Sequence, residues 1–278
     1  MKLQFNKDKL IKNNSYLDSK VWLDLNTNIY WNDIPKDLDL TKYYEKEYWS
    51  TFRQKKGKSN IYKFSLSCYK LIRNIFKITP NLFYSNFLIY SDYINIKSKI
   101  LEIGCGKGET IIELSKKKYS IKGLDLDIEN VIKLNDVLGK STVSLGNYEE
   151  IEIKEKFDFI YLNQVLEHFR DLNKVILKLK SNLNNGGHCF ISVPNADSTK
   201  FLELSICTQP HTYHFTKKGL ENLFINAGFT TKSINYYGWK AGNRIINDIY
   251  FSLIKLSGLK KCNKESEYLI AIFKLDEK

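Results

Sequence analysis

The chain has 278 residues, 43 of them Lys or Arg against 31 Asp or Glu, for a formal net charge of +12. With 43% hydrophobic and 14% aromatic residues it can bury a sizeable core, and 14 Gly with 4 Pro exclude collagen-like and disordered classes. Five scattered cysteines without a Cys-x-x-Cys exclude a disulfide framework and a zinc knuckle, and fit reduced thiols in a cytosol.

The opening residues carry no apolar run of the kind a signal peptide needs, and the best apolar stretch, Ile78 to Ser91, is interrupted by Pro80, Asn81 and Asn86. A cytoplasmic protein is therefore expected. Residues 1–50 hold many aromatics, such as Trp22, Trp31, Tyr44 and Trp49, but little periodicity. Gln54 to Asn60 reads as an exposed loop. From Ile61 apolar residues recur at helical spacing through Phe76, break at Pro80 and resume through Tyr90, which predicts two amphipathic helices. Residues 1–95 are thus expected to form an N-terminal helical appendage. Between Thr51 and Ser91 stand eight cations and no acid. They either form a solvated face or set up a field for an anionic acceptor or an anionic membrane surface. Only four of the 43 cations are Arg, so the bidentate base contacts of a nucleic-acid reader are not expected.

From Lys99 the pattern alternates. β-rich runs lie at Lys99 to Ile103, Ser120 to Leu124, Thr142 to Leu145, Phe157 to Leu162 and Cys189 to Val193. Helical stretches fall between them at Glu109 to Lys118, Ile128 to Leu138 and Leu172 to Leu183, the last closing on Gly186-Gly187. This alternation predicts a doubly wound parallel sheet within a domain spanning 96–278. After Val193 comes a loop, then a helix from Lys217 to Ala227 capped by Gly228. Strands at Thr230 to Tyr237 and Glu267 to Leu275 flank a helix from Arg244 to Leu256.

The sharpest motif is Glu102-Ile-Gly-Cys-Gly-Lys-Gly108, where Gly104, Gly106 and Gly108 turn the first strand into a helix. A dinucleotide fingerprint needs its third glycine at position 109, which is Glu. Carboxylates on both sides of the turn would repel a pyrophosphate at the helix N-terminus and suit a ligand carrying positive charge. No Walker Lys-Ser/Thr pair follows.

This motif resembles the first motif of the class I S-adenosylmethionine-dependent methyltransferases, and five further stretches extend the resemblance. Gly123-Leu-Asp-Leu-Asp127 is similar to the second-strand end, which implies that Asp125 binds the ribose hydroxyls with Leu126 beside the adenine. Gly146-Asn-Tyr-Glu-Glu150 resembles the adenine-proximal turn, implying contacts from Asn147, where the family has Asp, and Tyr148. Phe157 to Phe169 is similar to the fourth-strand motif ending in Leu-Glu-His, and places Asn163 and Gln164 at the carboxyl edge of the sheet. Gly186 to Asn195 looks like the fifth strand. His211-Thr-Tyr-His-Phe-Thr216 followed by Ala227-Gly-Phe229 resembles a subgroup that modifies sugars, lipids and quinones.

The resemblance implies a seven-stranded Rossmann-like sheet with the last strand antiparallel. It also implies S-adenosylmethionine held by Glu102, Gly104, Cys105, Gly106, Gly108, Asp125, Leu126, Asn147, Tyr148, Asn163 and Gln164, and a lid of Tyr44, Tyr48, Trp49 and Arg53. The expected reaction is methyl transfer, at oxygen, to a small-molecule or glycan acceptor that carries phosphate if the cationic run serves it. A quinone precursor is the alternative acceptor, and a non-catalytic cofactor- or RNA-binding protein the alternative class. His168 and His211 are the candidate bases, each with a structural role as its alternative. Cys105 is expected to be a small filler, and Cys207, His211 and His214 lack a fourth metal ligand.

Overall fold

Short apolar runs that alternate with amphipathic helices give strands buried on both faces. The computed structural model describes residues 5–14, 19–35, 38, 82–139, 141–208, 210–238 and 263–277. The lid residues Tyr44, Tyr48, Trp49 and Arg53, the helix from Ile61, the cationic run as far as Lys77 and the helix from Arg244 lie outside them.

In chain order the main body comprises α1 (Leu82–Tyr90), β4 (Lys99–Ile103), α2 (Glu109–Lys116), β5 (Ser120–Asp125), α3 (Ile128–Leu138), β6 (Val143–Leu145), β7 (Phe157–Asn163), α4 (Leu172–Asn182), β8 (Leu183–Pro194), α5 (Thr199–Thr208), β9 (Tyr213–Phe215), α6 (Lys217–Asn226), β10 (Phe229–Tyr237) and β11 (Tyr268–Leu275). Seven strands form one sheet in the order β10-β11-β8-β7-β4-β5-β6. Strands β6, β5, β4, β7 and β8 pair in parallel, and β11 runs antiparallel to both neighbours, as expected.

The two-residue period of the strands sorts the core. Leu101, Ile103, Ile160 and Leu162 pack with Val175, Leu179, Leu220 and Phe224 of α4 and α6. Ile100, Phe159 and Tyr161 pack on the other face with Tyr90, Ile111 and Val131 of α1, α2 and α3. Each such side chain is worth about 2 to 3 kcal/mol on burial. Helices α3 and α4 start at Asp127 and Asp171, whose carboxylates accept first-turn N–H groups.

Four expectations are corrected. Residues of the supposed helical appendage form strands β1 (Lys9–Asn14), β2 (Ser19–Asp24) and β3 (Ile29–Asn32), which pair antiparallel in the order β1-β2-β3-β9. The β2–β3 turn explains why: Asp24 Oδ1 accepts the Asn26 and Thr27 N–H groups, and Asn28 takes φ 57°. Second, Gly186-Gly187 does not close α4, which ends at Asn182. Both glycines lie inside the twelve-residue β8, where a Cβ on Gly187 would stand 2.9 Å from the Asn184 carbonyl oxygen and 3.1 Å from that of Asp158. Third, α1 is not amphipathic in the expected sense. It buries Asn86, whose Nδ2 donates to Tyr161 Oη at 2.8 Å, and exposes Leu88. The segment read as a loop after Val193 also contains α5 and β9. Among the described residues no helix is long and apolar enough to cross a membrane.

Candidate active site

The glycine turn sits where β4 ends, at the carboxyl edge of the sheet. Gly104, Gly106 and Gly108 have φ of 73°, 51° and 78°, a region that a Cβ disfavours. They differ in surroundings. A Cβ on Gly104 would meet Val165 Cγ2 at 2.4 Å and one on Gly108 would meet Leu134 Cδ2 at 2.1 Å, whereas one on Gly106 meets nothing within 4 Å. The turn is packed below and open above Gly106. Cys105 faces inward, its Sγ 3.5 Å from the Glu102 carbonyl oxygen, and burial pushes its thiol well up. Its sulfur packs beneath the turn against Gly123.

Two carboxyls flank the turn. Asp125 accepts the Gly106 N–H at 2.6 Å through Oδ2 and the Asp127 N–H at 2.8 Å through Oδ1, which locks the glycine turn to the end of β5. Glu102 accepts the Ile111 N–H, while its Oε2 is buried without a hydrogen-bond partner. Burial raises both carboxyls, Glu102 most strongly, and backbone N–H groups oppose the rise. The repulsion of Asp125 also raises Glu102. Two buried acids that resist ionisation form a site whose charge a cation would complete.

Leu126, on the rim past β5, is 42% exposed and offers an apolar face. Asn147 is half-buried, and its Oδ1 accepts the Glu149 N–H at 2.9 Å. The Tyr148 side chain turns away from the edge into the core, where its Oη donates to Asn182 Oδ1 at 3.0 Å and Lys178 Nζ lies 4.9 Å over its ring. Any cofactor contact from that position falls to its backbone.

At the end of β7, Asn163 pairs with Ser192 of β8, and Gln164 turns the chain with φ 58°. A left-handed glutamine is strained, and such strain concentrates at functional sites. Its Nε2 donates to Ser192 Oγ at 2.9 Å, so it is held in place. The chain then makes a 3-10 turn over Leu166–His168.

That turn presents the group that the sequence reading missed in part. Glu167 is fully buried, neither carboxylate oxygen has a hydrogen-bond partner, and burial pushes it up to about 8. His168, with its side chain 17% exposed, has its Nε2 4.0 Å from Glu167 Oε1, and its ring donates to the Pro210 carbonyl. Burial lowers it to about 4. His211, expected on a loop, is buried with its ring centroid 4.7 Å from that of His168. One potential ligand atom from each of Glu167, His168 and His211 lies within 4.8 Å of the other two, a donor set that a cation could use. The alternative trio fails, because Cys207 is exposed beside Lys12 Nζ at 3.3 Å. His214 belongs instead to a buried chain: its Nδ1 lies 2.8 Å from Ser205 Oγ, which is also 2.6 Å from His211 Nδ1. Its Nε2 lies 3.1 Å from Asn32 Nδ2. Nothing in the sequence marked Ser205 or Asn32. Glu167 did carry a signal, an acid between Leu166 and His168 with no cation one helical turn before it.

Residues 73–234, more than half of the chain, match the family described as a methyltransferase domain. The chain belongs to the class I S-adenosylmethionine-dependent methyltransferases. The methyltransferase is 31% identical over 107 residues to the mitochondrial ubiquinone biosynthesis O-methyltransferase of Candida albicans, covering 35% of this chain and 33% of that protein. It is 31% identical over 121 residues to the malonyl-[acyl-carrier protein] O-methyltransferase of Priestia megaterium, covering 42% and 43%. Its matches thus span less than half the length of these two relatives. An S-adenosylmethionine-dependent methyltransferase from Clostridium acetobutylicum superposes with a TM-score of 0.52 at 14% identity, over 78% of this chain and all of that one. A TehB-like methyltransferase from Corynebacterium glutamicum gives 0.52 at 18%, over 78% and 99%. At such identities the two structures speak to the fold.

The residues present fit the cofactor. The space above Gly106 is what a ligand lying on the glycine turn requires, and the unpartnered Glu102 Oε2 is an acceptor in want of a donor. The two raised carboxyls suit the positive sulfonium and ammonium groups. Asp125 spends one lone pair per oxygen on backbone N–H groups, which leaves acceptor capacity for two hydroxyls.

Proposed function

We propose that the chain transfers methyl to an oxygen of a small-molecule acceptor bound beside Gln164 and His168. The observation that carries this reading is the place of the His168 ring, four residues past Gln164 at the carboxyl edge of the sheet, with its Nε2 4.0 Å from Glu167 Oε1. The bound cofactor supplies an electrophilic methyl on a sulfonium. The protein then has to align the acceptor, exclude water and take the proton that an oxygen acceptor loses. Glu102, the glycine turn and Asp125 hold the donor side. Gln164 and Ser192 fix the floor between the two sides. At neutral pH His168 is an unprotonated imidazole beside a protonated Glu167, and an unprotonated imidazole is the form that accepts a proton.

The two relatives named above are described as O-methyltransferases, which supports oxygen as the target atom. A phenolic or carboxylic oxygen is accordingly the first acceptor class to test, with quinone precursors leading. The cationic run from Thr51 to Ser91 supports an anionic acceptor, including phosphate-bearing glycans.

The test is S-adenosylhomocysteine release with dihydroxybenzoates, acyl-carrier thioesters, sugar nucleotides and lipid-linked glycans. One class should turn over with the methyl on oxygen. With that acceptor, His168→Ala should lower kcat by about 10²- to 10⁴-fold at unchanged cofactor affinity. A His168→Ala enzyme of wild-type rate, or a product methylated on nitrogen or carbon, would overturn the reading.

A further inference from the structure

The hydrogen-bond partners around His211 fix where its proton sits. Asn32 is the anchor. Its Oδ1 accepts from Asn14 Nδ2 at 3.1 Å and from Ser19 Oγ at 3.0 Å, and its Nδ2 donates to the His211 carbonyl oxygen at 2.6 Å. Reversing the amide would set two oxygens 2.6 Å apart, so the orientation is determined. The second Nδ2 proton therefore points to His214 Nε2 at 3.1 Å, which must accept it. A neutral His214 then carries its proton on Nδ1 and donates to Ser205 Oγ at 2.8 Å. The Ser205 hydroxyl has one proton, and its other partner is His211 Nδ1 at 2.6 Å. That nitrogen accepts it, and His211 holds its own proton on Nε2.

We propose that the Asn32–His214–Ser205 relay fixes His211 as an Nε2–H donor. His211 is thus a positioning residue. The relay starts in the N-terminal strands β1, β2 and β3, passes through His214 of β9 and Ser205 of α5, and ends at His211 just before β9. Burial holds His214 near 3 and His211 well below the usual imidazole range, so both rings stay neutral and the proton count applies at physiological pH.

The same count argues against a cation at Glu167, His168 and His211. A ligating Nε2 would have to be bare, which moves the His211 proton to Nδ1. Two N–H groups would then aim at Ser205 Oγ, and the hydroxyl proton would lose its acceptor. The consequence for turnover rests on the proposed methyl-acceptor reading; the tautomers do not.

The chain has only four histidines, so a two-bond nitrogen–proton correlation spectrum of the ¹⁵N-labelled full chain can read each ring. At pH 7 His214 should show a protonated Nδ1 and bare Nε2, and His211 the reverse. A protonated Nδ1 or an imidazolium at His211 overturns the proposal, and this wild-type measurement needs no variant to fold. Ser205→Ala should replace the single His211 pattern by exchange between two tautomers, and an unchanged pattern overturns the relay. Added Zn²⁺ or Mg²⁺ should leave the His211 Nε2–H signal in place; its loss also overturns the proposal. Ser205→Ala should bind S-adenosylhomocysteine within about twofold of wild type, since the Ser205 hydroxyl bridges His211 and His214. Failure of the wild type to bind S-adenosylhomocysteine would instead sink the methyl-transfer reading, with the relay still judged by the spectrum.

Discussion

Replacing Glu167 by Gln should stabilise the protein, and increasingly so as pH rises. The carboxyl is fully buried, neither oxygen has a hydrogen-bond partner, and its native value is about 8 against an ordinary 4.5. A group raised on folding contributes stability that is fully present below its unfolded value and lost as pH climbs to its folded one. Between pH 5 and 8 the unfolded chain releases this proton and the native chain keeps it, at about 1.4 kcal/mol per pH unit. The burden on the wild type is under about 1 kcal/mol at pH 5 and reaches roughly 4 kcal/mol by pH 8, where it levels off as the native carboxyl ionises. Gln has the same shape and no proton to lose, so the Glu167→Gln difference in unfolding free energy should follow that curve. Urea denaturation of both proteins at one-unit steps from pH 5 to 9 measures it. A constant difference across the range would refute the reasoning, because it would mean that the native carboxylate is ionised and solvated throughout.

Asp125→Ala should weaken S-adenosylmethionine by about 2 to 4 kcal/mol, since desolvated hydroxyls lose a charged partner, with Asp125→Asn milder; equal dissociation constants by calorimetry would reject the ribose assignment. Gly106→Ala and Gly108→Ala should separate the two sides of the turn. The first projects into open space and should cost about 1 to 2 kcal/mol of stability for its positive φ but a larger share of cofactor affinity. The second drives into Leu134 and should chiefly lower the melting temperature, and the reverse order would mean that the ligand lies elsewhere. Below pH 6.5 the three buried, neutral histidines (His168, His211 and His214) should each make stability fall by up to about 1.4 kcal/mol per pH unit, because the unfolded rings take up protons that the native ones refuse. Proton uptake on acid unfolding near pH 5.5, read by potentiometric titration, should therefore drop by nearly one in a His214→Gln variant.

The alternation from Lys99 to Pro194 was legible because parallel strands are buried on both faces. Their runs are apolar without interruption, and the helices between them show one apolar stripe. The glycine turn and Asp125 were legible for a different reason, since backbone conformation and charge there leave few residue choices. The N-terminal strands escaped because Lys9-Leu-Ile-Lys-Asn-Asn14 is polar enough for a loop, and the three-residue β9 that completes their sheet is too short for any periodic signal. Gly186-Gly187 misled because the residue that ends a helix is also the residue that lets one strand crowd another. Tyr148 was placed at the adenine by its neighbours in sequence, whereas Asn182, thirty-four positions on, decides where its hydroxyl goes. The histidine cluster was half visible. The side chains that define its chemistry, Asn32 and Ser205, sit on elements that only the tertiary fold brings near.

The pairing of β3 with β9 bears on how the chain is made. Asn32 meets His211 across 179 positions, so the first strands emerge from the ribosome long before the partner that covers their edge. Until Phe215 is synthesised, β3 offers unpaired N–H and C=O groups to any other nascent chain. The parallel sheet can assemble as far as β8 in that interval, but the histidine chain cannot, since its anchor and its rings belong to opposite ends of the translation run. A stall between β8 and β9 would therefore yield a molecule with a formed glycine turn and an unformed histidine cluster, one half of the carboxyl edge without the other.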